Sequence, residues 1–230
     1  MARKPVDPVH VPGQLTLLEV ELAAPIELAS PAASVAVAVP SATTENATAP
    51  ISGPNTRVRA GNAMQRAREA AIAGAIAVLA DSGVKAMTMA AVADAGGLAR
   101  ATLYNHVRDK QSLLQLVIAH EVRSLAVGFS AAATMPAALT GTARAIAEHR
   151  ALVGIRSTDP AVLGAISVPT SGEGWDAVRE LLGRALVARG SKGSVAHVEL
   201  VLRWLASFVT EPSDEGSRSS QASALAKSLR

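Results

Sequence analysis

The sequence predicts an all-α protein, in which a three-helix helix-turn-helix unit is followed by longer helices to the end of the chain. Three observations predict it. Of 230 residues 49% are apolar but only 2% aromatic, so alanine and aliphatic side chains must fill the interior. That composition suits packed helices better than a β-sandwich or barrel, which draws on aromatic and β-branched residues. From Asn62 onward apolar residues recur at spacings of three and four, the period of a helix face. Eight of the twelve prolines lie in the first 56 residues and none from 55 to 135, which marks a boundary near residue 56.

Residues 1–56 read as an N-terminal arm, disordered or extended. The Ala/Pro/Ser/Thr-rich text from Ala29 to Pro54 has no helical periodicity and too few backbone donors for regular structure. Within the arm, Gln14-Leu15-Thr16-Leu17-Leu18 resembles the short glutamine-leucine peptides that bind the bacterial replication sliding clamp, which makes the arm a candidate docking segment for a protein partner. The alternative is that Leu15, Leu17, Leu18, Val20 and Leu22 pack on the helical body or on a partner. Formal charge is −3 over residues 1–56, +4 over 57–110 and +2 over 111–230. Basicity is thus concentrated in one block, as a nucleic-acid-binding module requires. Arg3 and Lys4 are followed by Pro5, Asp7 and Pro8 where the apolar stretch of a secretory signal should stand. Wholly apolar runs fall short of the ~18 residues that cross a bilayer. A cytoplasmic, nucleoid-associated protein with no membrane partner is expected. With no cysteine, disulfides, thiolate-ligated zinc and thiol nucleophiles are excluded.

The elements follow in order. Ile72, Ile76 and Leu79 share one face of a first helix that Gly83 ends. Thr88 can cap a short second helix reaching Ala95, with Val92 inward. Gly96-Gly97 permits a sharp turn, and Arg100 to Val107 forms a two-turn third helix with Leu103 and Val107 inward. These helices place a DNA-binding domain over residues 57–110. Asp109 caps a helix to about Ala133; Thr134 and Pro136 start another that runs to about Leu152; Asp159-Pro160 repeats the signature for a short helix stopped by Pro169. Gly174 to Arg189 and Ser194 to Thr210 complete a region, 111–212, assigned to dimerisation and ligand binding. The first of these two helices carries Trp175, Val178 and Leu182 in a stripe. The second, with Val198, Leu202 and Leu205, is apolar almost all round and must be covered on nearly all sides. A second subunit is the expected cover, giving a homodimer through this pair. Residues 213–230, serine-rich and polar, read as a flexible tail.

At Val92-Ala93-x-x-Gly96-Gly97-Leu98-Ala99-Arg100-Ala101-Thr102-Leu103-Tyr104-Asn105-His106-Val107-x-x-Lys110-x-x-Leu113-Leu114 the chain resembles the TetR family of bacterial transcriptional regulators. Ile72, Ala75, Val78-Leu79, Gly83 and Thr88 fit the upstream half, so the resemblance spans about residues 66–114. It implies a TetR-like fold: an all-α dimer whose N-terminal domain binds operator DNA and whose C-terminal domain dimerises and usually holds an inducer. Tyr104 and His106 resemble the family's phosphate-contacting pair. The chain departs from the family at Ala99, where Ser or Thr usually caps the recognition helix, at Ala101 in place of Gly and at Val107 in place of Phe. A lost cap costs about 1 kcal/mol.

Read from the residues alone, the third helix has the size and polarity to enter a major groove. Arg100 can form a bidentate pair with guanine, Thr102 can reach a base edge or a thymine methyl, and Asn105 can pair with adenine. Lys110 and Thr88 are placed for phosphates, and Arg57 and Arg59, with Arg66 and Arg68, can follow the backbone or minor groove as an arm. Helices 111–168 offer an apolar inventory with His120, His149, Arg150 and Arg156 as the groups to orient a polar ligand. A small apolar or weakly acidic effector is expected, with Arg150 or Arg156 as its anion partner. No phosphate-binding glycine loop or Gly-x-Ser-x-Gly elbow occurs, and His120, His149 and His197 have no second ligand three or four residues away. No enzyme activity, cofactor or metal is expected. The sum is a homodimeric, sequence-specific transcriptional regulator of double-stranded operator DNA, a repressor released by a small molecule. The alternative is a DNA-anchored interaction or DNA-organising factor that recruits a partner through its arm.

Overall fold

The computed structural model describes residues 54–169 and 172–230, with side chains from residue 62 onward other than those of residues 165 and 173. Residues 1–53, which hold the Gln14–Leu18 motif and almost all of the expected arm, lie outside the described residues.

The described chain is helical throughout, with no strand among its described residues. Helix α1 runs Pro54–Ala86 and breaks at Gly83, whose φ of 74° is the left-handed geometry that favours glycine. Two short helices, α2 (Met89–Ala95) and α3 (Arg100–His106), follow. Helix α4 (Lys110–Ala131) starts at Asp109, whose carboxylate accepts the Ser112 amide at 2.8 Å. Helix α5 (Met135–Ala147) starts at Thr134, which caps the Ala137 amide.

The expected continuation of α5 to Leu152 does not occur. The backbone leaves the helical region at Glu148 and is extended at His149, and a separate α6 (Arg150–Thr158) begins. The reason is packing: turned away from α5, α6 lies along α1, and Gly154 meets α1 so closely that a Cβ there would stand 2.1 Å from the Ala80 carbonyl oxygen. Helix α7 (Pro160–Ile166), α8 (Glu173–Val187) and α9 (Val195–Thr210, capped by Ser194) follow near their expected places.

After Pro212, where a flexible polar tail is expected, the chain forms α10 (Glu215–Ser228). Asp214 caps it through the Ser217 amide, and Ala222, Ala226 and Leu229 are buried, with α10 packed on α5. Small alanines at a spacing of four carry little hydropathy among serines, yet they let the helix seat closely. The buried Arg218 joins its end to the Ser213 carbonyl and to Glu148.

Two cores result. One contains Ala75, Leu79, Val92, Leu103 and Leu113 together with Ile155 and Leu163, so α6 and α7 complete the interior of the three-helix unit. The other gathers Phe129 with residues of α5, α8, α9 and α10, including Leu139, Leu186, Val201 and Phe208. Helix α4 contributes to both. It is also the one helix among the described residues with the length and mean hydropathy (1.2) to cross a membrane, although Leu113, Leu116, Val117 and Phe129 are buried against protein. Arg156 bridges the seam: from α6 its guanidinium donates to Ala147 O at 2.8 Å, Phe208 O at 2.8 Å and Val209 O at 3.0 Å, the carbonyls that α5 and α9 leave free at their ends.

Candidate nucleic-acid interface

Glycines set the helix-turn-helix geometry. A Cβ on Gly74 would lie 2.5 Å from the Val92 carbonyl oxygen, and one on Gly96 would lie 2.5 Å from that of Ala70, so α2 rests directly on the α1 backbone. Gly97 then turns the chain with φ 64°, and Leu98 N–H returns to Ala93 O at 2.8 Å. Thr88 caps α2 by accepting the Ala91 amide at 3.1 Å. Its oxygen therefore serves as a cap, and the residue is exposed. At Ala99 no side chain caps α3, so α3 is held from below: Leu103 is fully buried and Val107 nearly so. Burying a leucine of this kind contributes about 2 kcal/mol.

That anchoring fixes which side chains face outward. Arg100, Tyr104 and Asn105 share the exposed arc of α3 with Ala101, while Thr102 and His106, one turn apart, flank it half-buried. Tyr104 is 55% exposed, enough to lay its ring and hydroxyl against a ligand surface. Arg100 and Asn105 have the donors and planar geometry for base edges, Tyr104 and His106 for phosphates.

Lys110, expected to meet a phosphate, has a partner within the protein. It reaches back to the end of α1 and donates to Val84 O at 2.5 Å. Arg108, in the turn between α3 and α4, is exposed beside α3; it lies between the motif positions Val107 and Lys110, so the motif itself does not point to it. The Ser112 amide, helped by the Ser112 hydroxyl, holds the Asp109 carboxyl below its ordinary range, and Arg108 acts in the same direction. Arg66 donates to the carbonyl of Asn62 on its own helix, at 3.1 Å. Arg57 and Arg59 fall within α1, three turns or more upstream of Ile72, and their side chains lie outside the described residues.

The residues expected to hold an effector do not converge. His120 and Arg150 are exposed. His149 Nε2 lies 3.2 Å from Glu121 Oε2, and its hydrogen bond holds the Glu121 carboxyl below the usual range. Arg156 is committed to the helix-end carbonyls described above, which corrects its reading as an anion partner: its donors point into the seam between cores. A surface cleft of about 470 Å³ lies elsewhere, between the α4–α5 turn and the end of α8, lined by Ser130, Thr134, Met135, Ala185 and Arg189.

The expected dimer residues also need correction. Val198, Leu202 and Leu205 of α9 and Leu182 of α8 are buried in the protomer's own second core, and Trp175 and Val178 pack half-buried against it. Helices α5, α7 and α8 cover the apolar circumference of α9 that a partner was expected to cover. What the pair exposes instead is Val187, Val195 and Leu200, the last two 80% and 48% accessible.

Residues 71–117 match the family model described as bacterial regulatory proteins, tetR family. No curated protein matches the chain. Among solved structures it is similar to the crystal structure of the TetR family repressor AlkX from Dietzia sp. strain DQ12-45-1b, implicated in biodegradation of n-alkanes. The two are 22% identical over 70% of this chain and 94% of that chain, with a TM-score of 0.54. At that identity the likeness is one of fold.

Proposed function

We propose that this chain, whose residues 71–117 match the tetR-family model, is a DNA-binding transcriptional regulator that acts as a homodimeric repressor reading a near-palindromic operator through two copies of α3. The observation that carries the proposal is the polar, exposed arc of Arg100, Tyr104 and Asn105 mounted on a buried Leu103 and Val107. Arg100 and Asn105 supply base contacts, and Thr88, Tyr104 and His106 phosphate contacts. The dimer forms through the exposed sides of α8 and α9, which carry Val187, Val195 and Leu200 outward.

Release by a small apolar or weakly acidic compound completes the proposal. Such a compound must discriminate between the bound and released states by about 5.5 kcal/mol to reverse the population. Of Arg150 and Arg156, Arg150, exposed in the first turn of α6, is the one whose donors are not committed to the seam.

Purified full-length protein incubated with fragmented genomic DNA tests this. Enrichment of a few promoter fragments carrying inverted repeats is expected. Capture spread evenly over the genome would overturn the repressor reading in favour of a DNA-organising protein.

A further inference from the structure

Asp159 stands between α6 and α7 and is 5% exposed. Both of its carboxylate oxygens meet one residue of the helix-turn-helix unit. Oδ2 accepts the backbone N–H of Lys85 at 3.1 Å, and Oδ1 lies 3.0 Å from the Lys85 ammonium. The break at Gly83 is what turns the Lys85 amide outward to this acceptor. Nothing larger than glycine fits there, since a Cβ would stand 2.2 Å from Thr158 Oγ1 and 2.8 Å from Asp159 Oδ2. The Thr158 hydroxyl is itself turned back to Gly154 O at 3.0 Å, so it does not compete for the carboxylate. The Lys85 amide, and next the Lys85 side chain, keep the Asp159 carboxyl below its ordinary range.

Helix α6 therefore holds α1 by buried apolar contact through Ala151 and Ile155, by backbone contact of Gly154 on Ala80, and by the carboxylate on Lys85. Apolar contacts can slide; the directed carboxylate bond fixes the angle. The same helix is tied through Arg156 to the ends of α5 and α9 in the other core. An unbroken path of contacts thus leads from α9 through α6 to the turn at 83–88, one residue before α2 begins.

We propose that Asp159 is a positioning residue for DNA reading: by pinning Lys85 it sets the angle of the helix-turn-helix unit to the α8–α9 face, and so the half-site spacing that the dimer accepts. The inference rests on the dimeric DNA-reading function proposed above. Two recognition helices meet successive major grooves about 34–36 Å apart. A head held to α6 by apolar contacts alone can shift and tolerates a range of spacings, whereas a pinned head does not.

The test uses the full chain. Duplexes selected from a random pool by the wild-type protein are remade with one central base pair inserted or deleted. Asp159→Ala is expected to bind the selected duplex while its penalty for the altered spacings shrinks by about tenfold, the scale of one charge-assisted hydrogen bond. Asp159→Asn keeps an acceptor for the Lys85 amide, is expected to lie between the two proteins, and carries the test if the alanine variant does not fold. Without DNA, amide exchange in the alanine variant should quicken across residues 84–107 and stay unchanged across 195–228. An unchanged spacing penalty, or exchange that quickens equally everywhere, overturns the role of Asp159. If the wild type enriches no duplex at all, the regulator reading itself falls, and the spacing role falls with it.

Discussion

The ammonium of Lys110 donates to the carbonyl of Val84 at 2.5 Å, tying the first residue of α4 to the last turn of α1. A lysine expected to meet a phosphate is thus also a strut of the helix-turn-helix unit. Lys110→Ala is expected to lower stability by about 1.5 kcal/mol, the low end for a bond to a charged donor, besides weakening DNA binding. Arg108→Ala should leave the melting temperature unchanged and lower the salt slope of binding by about one unit, as loss of a phosphate contact does. Calorimetry and binding titrations at several salt concentrations separate the two effects.

Arg100→Ala removes a base contact rather than a backbone contact. A loss of about 1–3 kcal/mol is expected on the selected duplex and almost none on random DNA. Equal losses on both would place Arg100 on phosphate.

Leu200 and Leu202 stand two residues apart on α9, yet they face different surroundings, 48% and 4% exposed. Leu200→Arg should yield a folded monomer by light scattering, with operator affinity reduced. Leu202→Arg drives a charge into the second core at a cost of several kcal/mol, and should unfold the protein whatever its oligomeric state. A dimeric Leu200→Arg protein would move the interface away from this face.

Arg156→Met keeps an apolar stem and strips the donors from the carbonyls of Ala147, Phe208 and Val209. Leaving partly buried acceptors bare costs about 2–3 kcal/mol, which for a chain of this size lowers the melting temperature by roughly 4–12 °C.

Asp109, Asp159 and Asp214 all have carboxyls held below the ordinary value of 3.8, the largest causes being backbone or hydroxyl hydrogen bonds from Ser112, Lys85 and Ser217. Because each folded-state value lies below its unfolded one, the stabilisation is complete above the ordinary carboxylate range and is lost as pH falls through the lowered values. Melting temperature should be flat from pH 7 to about 5 in these contributions and fall steeply below about 3.8. Asp214→Asn should soften the fall.

The reading head was legible because its signals are local. Gly83, Thr88, Gly96-Gly97 and the inward pair Leu103 and Val107 act within a few residues of themselves, and they stand where their spacing placed them. What the sequence did not disclose depends on distant partners. Leu202 reads the same whether a second subunit or α5 covers it. Arg156 looks like a free cation until the ends of α5 and α9 are brought to it. The alanines of α10 have no visible preference among serines until α5 supplies a surface, and the close fit of Gly154 on Ala80 has no trace in any local pattern.

The first core, in which Ile155 and Leu163 lie with Val92 and Leu103, bears on how such a protein is rebuilt or inherited. A fragment cut after Lys110 leaves an apolar wall of the head open to water, so it is not an interchangeable cassette. Grafting this reading specificity onto another regulator requires α6 and α7 to travel with it, although the chain between them and the head contributes to the other core. New specificities are consequently easier to reach by altering the outward arc of α3 in place than by exchanging whole heads.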